Sequence, residues 1–443
     1  MSAHDLPAPI QWHEGMLLAP QHFQQLALRQ EELLHYHAMA LGPFHWGVRR
    51  LTLDQALLVS GTVRVLELDA VMPDGLVVSH LRGQGGELEV DLAGHVDEMK
   101  SRPVTVHLAV PVKKPGDGAL RGDLARYDSV EGPVVRDDNT GDGELRIPRL
   151  KPRLSLLVTE TPPQKYVSFP LARVAYRNET FSATDFVPPC LAVESRSPLA
   201  ELCNAIARRL REKAMFLSDQ MLSASMTFGS AMALDTKNTI ENLVGGLPLF
   251  EAVLTTGATH PFQVYLALCA LSGNVAAAGR NQIPPVFNAY NHNDLRATFD
   301  QVREFIARTI DEGIIESHTP YSFKLDAGVF SIPFDGAWTA GDFVIGARGR
   351  PGTTEKEVVA WMDEALIGSR TKLSMMREKR ILGAARKRID RDGELLPARG
   401  SVLFTVKPDP GFIEPDEILQ ITNTADPANA LGPDEIVLYV RQR

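Results

Sequence analysis

The chain has 443 residues, more than one hydrophobic core usually organises, so two to three domains are expected. An apolar fraction of 44 % and a charged fraction of 23 % are those of an ordinary folded protein and exclude a disordered or fibrous chain. A formal net charge of -9 argues against nucleic acid or an anionic membrane surface as the main partner.

Only three cysteines occur, Cys190, Cys203 and Cys269, and none has the C-x-x-C spacing of a disulfide framework or structural zinc. Residues 1–5 lack a basic start followed by an apolar core, so no secretory signal is expected. No apolar run approaches the roughly 20 residues that cross a bilayer, so direct membrane insertion is not expected either. These features fit a reducing, cytoplasmic compartment.

Residues 12–25 read W-H-E-G-M-L-L-A-P-Q-H-F-Q-Q. Pro20 suits the first turn of a helix, where its missing N–H costs nothing. Beyond it Phe23, Leu26, Ala27, Leu34 and Leu41 fall on one helical stripe, while Gln24, Gln25, Arg29, Gln30, Glu31 and Glu32 stay off it. Residues 1–45 are therefore predicted to be an aromatic-bearing arm leading into an amphipathic helix. Such a helix could simply cap a domain. Trp12 and Phe23 are also the kind of side chain that anchors interfaces, and Gly15 allows the arm to turn sharply.

After Gly42-Pro43 the pattern alternates. Leu51/Leu53, Val63/Val65, Val104/Val106/Leu108/Val110 and Leu154/Leu156/Val158 each repeat every second residue, as strands with one buried face do. Turn-forming stretches separate them at Pro73-Asp74-Gly75, at 83–86 and at 114–118. A β-sandwich is predicted over residues 46–187. Within it, residues 137–144 superficially resemble a calcium loop but lack the closing glutamate, so an exposed hairpin or a mobile loop is expected. The glycines at 83–86 do not form G-x-G-x-x-G before a helix, and a phosphate cradle is not expected there.

Pro188-Pro189 marks a boundary, after which helical periods take over in residues 188–317. Ser197-Pro198 is an N-cap and first-turn pair. Leu199, Cys203, Ile206, Leu210, Ala214, Leu217 and Met221 then recur at steps of three and four, close to a coiled-coil seam. Further helices are predicted through Ile240–Leu254 with Pro248 bending the chain, from Pro261 with Tyr265, Leu268, Cys269, Ser272 and Val275 on one side, and from about Asn293 with Leu295, Phe299, Val302, Ile306 and Ile310. Four helices with short links read as a bundle whose seams face each other or another copy. Residues 318–443 mix both periods and read as a small α/β unit, with strands at Ser331-Ile332-Pro333, Phe343-Val344-Ile345, Val402-Leu403-Phe404 and 436–440 and a helix capped by Thr354. The fold class is thus multidomain α+β: an N-terminal β-sandwich, a central α-helical bundle and a small C-terminal α/β domain.

Chemistry is hard to find. His4, His13, His22, His35, His37 and His45 crowd the N-terminus without the i, i+4 spacing of a zinc helix, and no metal or cofactor is expected. No G-x-S-x-G elbow, Walker loop or S-x-x-K pattern occurs, and no catalytic residue is proposed. Residues 370–391 hold nine cations, Arg370, Lys372, Arg377, Lys379, Arg380, Arg386, Lys387, Arg388 and Arg391, against Glu378 and Asp390. This run is either a solvated face or an electrostatic dock for an acidic partner.

The stretch Trp12, Glu14, Gly15, Met16, Leu18, Pro20, Gln21, His22, Phe23 and Gln24 closely resembles the N-terminal signature of the TssK family, baseplate subunits of the type VI secretion system. His260-Pro261 with Tyr265-Leu266 is similar to the family's H-P-x-x-x-Y-x-x-L helix start, and residues 290–295 are similar to its Y-x-H-x-D-L. The resemblance implies a strand-rich shoulder, a helical neck and a C-terminal head, in the order read above. It implies a non-enzymatic homotrimer held by neck positions such as Leu199, Ile206, Leu210 and Leu217. Shoulders would grip the wedge proteins TssF and TssG, with the N-terminal signature as the contact. Heads would reach the cytoplasmic parts of TssL and TssM at the inner membrane, with Arg377, Lys379, Arg380, Arg386, Lys387 and Arg388 as the dock. The rival readings are a phage-like receptor- or carbohydrate-binding trimer and an enzyme with a helical insertion.

Overall fold

The computed structural model describes residues 2–84, 86–113, 122, 124–222, 231–278, 283–313, 318–390, 392, 395 and 401–441. The chain forms two compact units. One comprises Met1–Asn204, Phe250–Cys269 and Val286–Val302; the other comprises Ala205–Leu249, Ala270–Pro285 and Arg303–Arg443. The long helices of the predicted neck therefore contribute residues to both units.

In the first unit, α1 (Pro20–Leu41) precedes β1 (Gly47–Leu53), α2 (Gln55–Val59), β2 (Thr62–Val71), β3 (Val77–Leu81), β4 (Leu88–Asp91), α3 (Val96–Met99) and β5 (Val104–Pro111). The short strands β6 (Tyr127–Val130), β7 (Val134–Val135), β8 (Leu145–Arg146) and β9 (Arg149–Pro152) follow, then β10 (Ser155–Val158), β11 (Tyr166–Arg177) and β12 (Thr180–Ala183). One sheet runs β1-β2-β3 with β4 also on β2, and the second runs β10-β5-β11-β12. Both feed one core, in which Val63, Val65 and Leu68 meet Val106, Leu108, Phe169 and Leu171. The inward alternation of β2 shifts at Leu66, where Thr52 pairs Glu67 but Leu53 pairs Val65. Strand β5 departs from the expected one-sided pattern: all eight of its residues are buried, so its outer face is covered as well. The acidic loop is the expected hairpin turn between β7 and β8, with the Asn139 and Thr140 amides donating to Asp137 Oδ1. The turn at 114–118 lies outside the described residues.

Five helices, not four, follow the sandwich among the described residues: α4 (Pro198–Leu222), α5 (Ala231–Gly245), α6 (Leu247–Thr255), α7 (Pro261–Ala278) and α8 (Leu295–Gly313). Ser197 Oγ accepts from the Ala200 amide, the expected cap of α4. The predicted bend at Pro248 is instead a break, because Gly246 falls out of both helices and Pro248 occupies the first turn of α6. All of Leu295, Phe299, Val302, Ile306 and Ile310 are buried along α8. Helix α7 is long and apolar enough to cross a membrane by length and composition, contrary to the expectation of no such run. Its apolarity has a local cause, since Val264, Leu268, Leu271, Val275 and Ala276 are buried in the chain.

The remaining elements are β13 (His318–Ser322), β14 (Lys324–Asp326), β15 (Val329–Pro333), β16 (Phe343–Arg348), α9 (Glu355–Glu364), β17 (Ala365–Ser369), α10 (Leu373–Glu378), β18 (Arg386–Ile389), β19 (Ser401–Val406), β20 (Ile418–Asn423) and β21 (Glu435–Arg441). They build a five-stranded sheet, β13-β21-β16-β19-β18, and a four-stranded sheet, β14-β15-β20-β17. Phe330, Ile332, Ile345, Phe404, Ile421 and Leu438 from both sheets share a core with Val358, Trp361 and Met362 of α9. Thr354 and Glu357 close the capping box of α9. The expected α/β unit is in fact an antiparallel pair of sheets. Helices α9 and α10 connect strands of different sheets, so neither forms the crossover that a parallel pair needs.

Candidate functional site: docking surfaces

Helix α1 contains no buried residue. Its apolar stripe faces outward: Phe23 is 56 % exposed, Leu34 73 % and Leu41 90 %. The opposite side, with Leu28, Leu33, His35 and Tyr36, is half-buried. Few polar links fasten the helix: His35 Nε2 lies 3.0 Å from His45 Nε2, and Lys113 reaches Glu31 at 3.0 Å.

The arm ahead of α1 is shaped by its own residues. Gly15 adopts φ +81°, the left-handed conformation that lets the arm reverse. Ala19 N–H donates to His22 Nδ1 at 3.1 Å, so the His22 ring caps the helix start, and the Trp12 ring sits 6.0 Å from that imidazole. Arg29 donates to the Pro7 carbonyl and returns the first residues to the helix. Trp12 nonetheless remains 48 % exposed; Glu14, Pro20, Gln21 and Gln24 are exposed, and Met16 and His22 are half-buried. Two large aromatics and several leucines left uncovered on one small element form a surface that another protein can fill.

The other two motifs work inside the first unit. His260 Nε2 donates to the Phe44 carbonyl at 2.8 Å while its Nδ1 accepts from Phe262 N–H. His292 Nε2 donates to the Trp46 carbonyl at 2.7 Å, and Tyr290 OH donates to His292 Nδ1 at 2.9 Å. With Nε2 donating and Nδ1 accepting, each ring is the neutral Nε2–H tautomer. Their rings stack at 5.3 Å. Burial lowers both pKa values, that of His292 to about 4. Asp294 caps α8 through Ala297 N–H, and Tyr265 OH donates to Asn288 O. These residues pin the segment just after α1 to the starts of α7 and α8. The sequence pattern marked them without revealing that they hold Phe44 and Trp46.

Elsewhere the predicted sites divide. Leu199, Ile206 and Leu210 are buried by the chain itself, and Leu217 is half-buried. Among the exposed apolar residues of these helices are Met215, Leu234, Leu249 and Leu266. In the basic run, Arg388 pairs with Glu355, Lys372 pairs with Glu414 at 2.7 Å, and Arg386 turns inward to the Asp363 carbonyl. Arg377, Lys379, Arg380 and Lys387 are exposed, and no ion-pair partner for them is found among the described residues. Arg391 lies outside those residues. Cys203 is buried and Cys190 half-buried, and desolvation pushes both thiol pKa values to about 12, so neither is poised as a nucleophile. No cluster of metal-ligating side chains is found among the described residues.

A two-sheet sandwich, a run of helices and a second pair of sheets make a multidomain α+β chain that leaves Trp12, Leu17, Leu18, Phe23, Leu34 and Leu41 exposed on its N-terminal arm and first helix, a surface suited to protein contact. A family model described as bacterial type VI secretion, VC_A0110, EvfL, ImpJ, VasE matches residues 22–391. The type VI secretion system baseplate component TssK1 of Pseudomonas aeruginosa is 30 % identical over 319 residues, which span 68 % of this chain and 69 % of that protein. The chain belongs to the TssK family of type VI secretion baseplate components. A crystal structure of TssK shares its fold with TM-score 0.62 and 17 % identity, over 98 % of this chain and all of that one. TssK in a TssK-TssF-TssG baseplate subcomplex gives TM-score 0.58 and 19 % identity, over 69 % of this chain and 98 % of that one.

Proposed function

We propose that this chain is a trimeric, non-enzymatic connector at the cytoplasmic face of the inner membrane, joining TssF and TssG to the cytoplasmic parts of TssL and TssM. Family membership supports the baseplate role, and a related TssK has been solved together with TssF and TssG. The observation that carries the wedge assignment is the uncovered apolar face of the arm and α1, from Trp12 through Phe23 to Leu41. Three linked copies would turn later contacts into intramolecular ones, so modest single interfaces suffice for a large particle. Neck residues buried within the chain, Leu199, Ile206 and Leu210, stiffen each copy. The surfaces that meet sister copies are then assigned to exposed positions such as Met215 and Leu234, beside half-buried Leu217. Of the basic dock, Arg377, Lys379, Arg380 and Lys387 face the partner, while Arg386 and Arg388 are held by the fold.

Co-expression with TssF and TssG, followed by size-exclusion chromatography with light scattering, tests this reading. A stable complex carrying three copies of the chain is expected. A chain that elutes alone and as one copy would refute the connector role.

A further inference from the structure

The turn between α10 and β18 carries two exposed aliphatic side chains, Ile381 at 37 % and Leu382 at 46 %. Cations flank them on both sides: Arg377, Lys379 and Arg380 before, and Arg386, Lys387 and Arg388 after. The aliphatics are not exposed because the turn is loose. Ile381 N–H donates to Met376 O at 2.9 Å, and Lys379 N–H donates to Met375 O at 3.0 Å. Ile367 N–H on β17 donates to Leu382 O at 3.1 Å, and Ala384 N–H donates back to Ile367 O at 2.9 Å. Gly383, at φ +85°, runs so close to β17 that a Cβ would strike the Ile367 carbonyl and the Met376 methyl. With the turn fixed at both ends, Ile381 and Leu382 are presented outward in a set geometry, and little ordering remains to be done when a partner arrives.

The geometry points to this turn as a docking centre for a protein whose surface offers a small apolar recess edged by carboxylates. The inference deepens the reading of this chain as a connector and rests on it. Charge complementarity selects an acidic rim, because Arg377, Lys379, Arg380 and Lys387 stand exposed and unpaired among the described residues of a chain whose formal net charge is -9. A protein fits better than a lipid surface. The turn has no aromatic residue, only two aliphatics, and a backbone too constrained to spread into headgroups. An apolar centre with a charged rim is also how protein interfaces are built, with the centre setting residence time and the rim setting association rate and salt response.

The test uses the full chain, the purified cytoplasmic domains of TssL and TssM, and vesicles of phosphatidylglycerol and phosphatidylethanolamine. Two variants separate the parts: Ile381→Ser with Leu382→Ser, and Arg377→Gln with Lys379→Gln. All four positions are exposed, and an unchanged melting temperature checks that each variant is folded. The first pair is expected to weaken binding by about tenfold or more, mainly through faster dissociation, at an unaltered salt slope. The second pair is expected to slow association and flatten the salt slope. Wild-type binding that neither pair disturbs would overturn this site while leaving the connector reading intact. No binding of either domain by the wild type would defeat the envelope-side reading itself. Salt-sensitive binding to the vesicles but not to the domains would assign the turn to a membrane surface and overturn the inference.

Discussion

His292 donates its Nε2 proton to the main-chain carbonyl of Trp46, 246 residues earlier, at 2.7 Å. The bond closes a ring of aromatic contacts: Trp46 stands edge-on to His292 at 5.1 Å, and Phe44 packs against Tyr290 at 4.7 Å. The segment that leads out of α1 is thereby locked to the start of α8.

This lock has a pH signature. Burial holds the His292 pKa at about 4, below its ordinary value of 6.5, and His260 and His45 disfavour a further positive charge. The unfolded chain therefore binds the proton more readily than the folded one across that interval. The stabilisation from neutral His292 is complete above about pH 6.5, is lost as the pH falls, and levels off below about pH 4. The full amount is on the order of 3 kcal/mol. Chemical denaturation between pH 7 and pH 4 should show the decline in the wild type and a smaller one in His292→Gln. Equal slopes for the two proteins would show that His292 is not the titrating group.

The arm behaves differently. Trp12 and Phe23 contribute little to the core because about half of each is already exposed. Trp12→Ala and Phe23→Ala should leave the melting temperature within a degree or so, yet cost about 2 kcal/mol each in capture of TssF and TssG, roughly thirtyfold in Kd. Early melting of either variant would reassign that residue to packing.

The strands and helices were largely legible because their apolar residues repeat at the period of the element: Leu295, Phe299, Val302, Ile306 and Ile310 are the buried face of α8. For α1 the same periodicity left two readings open, and the stripe points outward. Periodicity reports that a face will be covered, not whether the cover is the same chain. Of the two covers left open for Leu199, Ile206 and Leu210, the same chain supplies it, since all three are buried within it. Sheet direction in the C-terminal part was not legible, because parallel and antiparallel strands both alternate and only the spatial path of α9 and α10 decides. The roles of His260 and His292 depend on carbonyls more than 200 residues away and leave no local trace.

An ion pair enclosed on its arginine side offers a third test. The Arg126 side chain is almost fully enclosed, donates to the Pro111 carbonyl, and meets Asp74 Oδ2 at 2.6 Å. Asp74→Ala would strand a buried guanidinium, at a cost of roughly 3 kcal/mol or more. Arg126→Met in the same background should recover much of that loss, because it removes the stranded charge while filling its volume. Denaturation midpoints for the single and double variants decide it; a double variant no better than Asp74→Ala alone would deny the pair its electrostatic role.

The neck separates residues that build each copy from residues that would join copies. Truncating Leu199, Ile206 or Leu210 to alanine removes buried methyl groups and should destabilise the chain by about 2–5 kcal/mol, whatever its oligomeric state. Met215→Glu and Leu234→Glu change exposed positions, so a single copy should tolerate them. If those side chains lie between sister copies, each substitution buries carboxylates without partners three times over, and light scattering at low micromolar concentration should report one copy in place of three. Retained trimeric mass in both variants would move the interface to another face of the helices. A wild-type chain that is already a single copy at that dilution would remove the trimer from the proposal altogether.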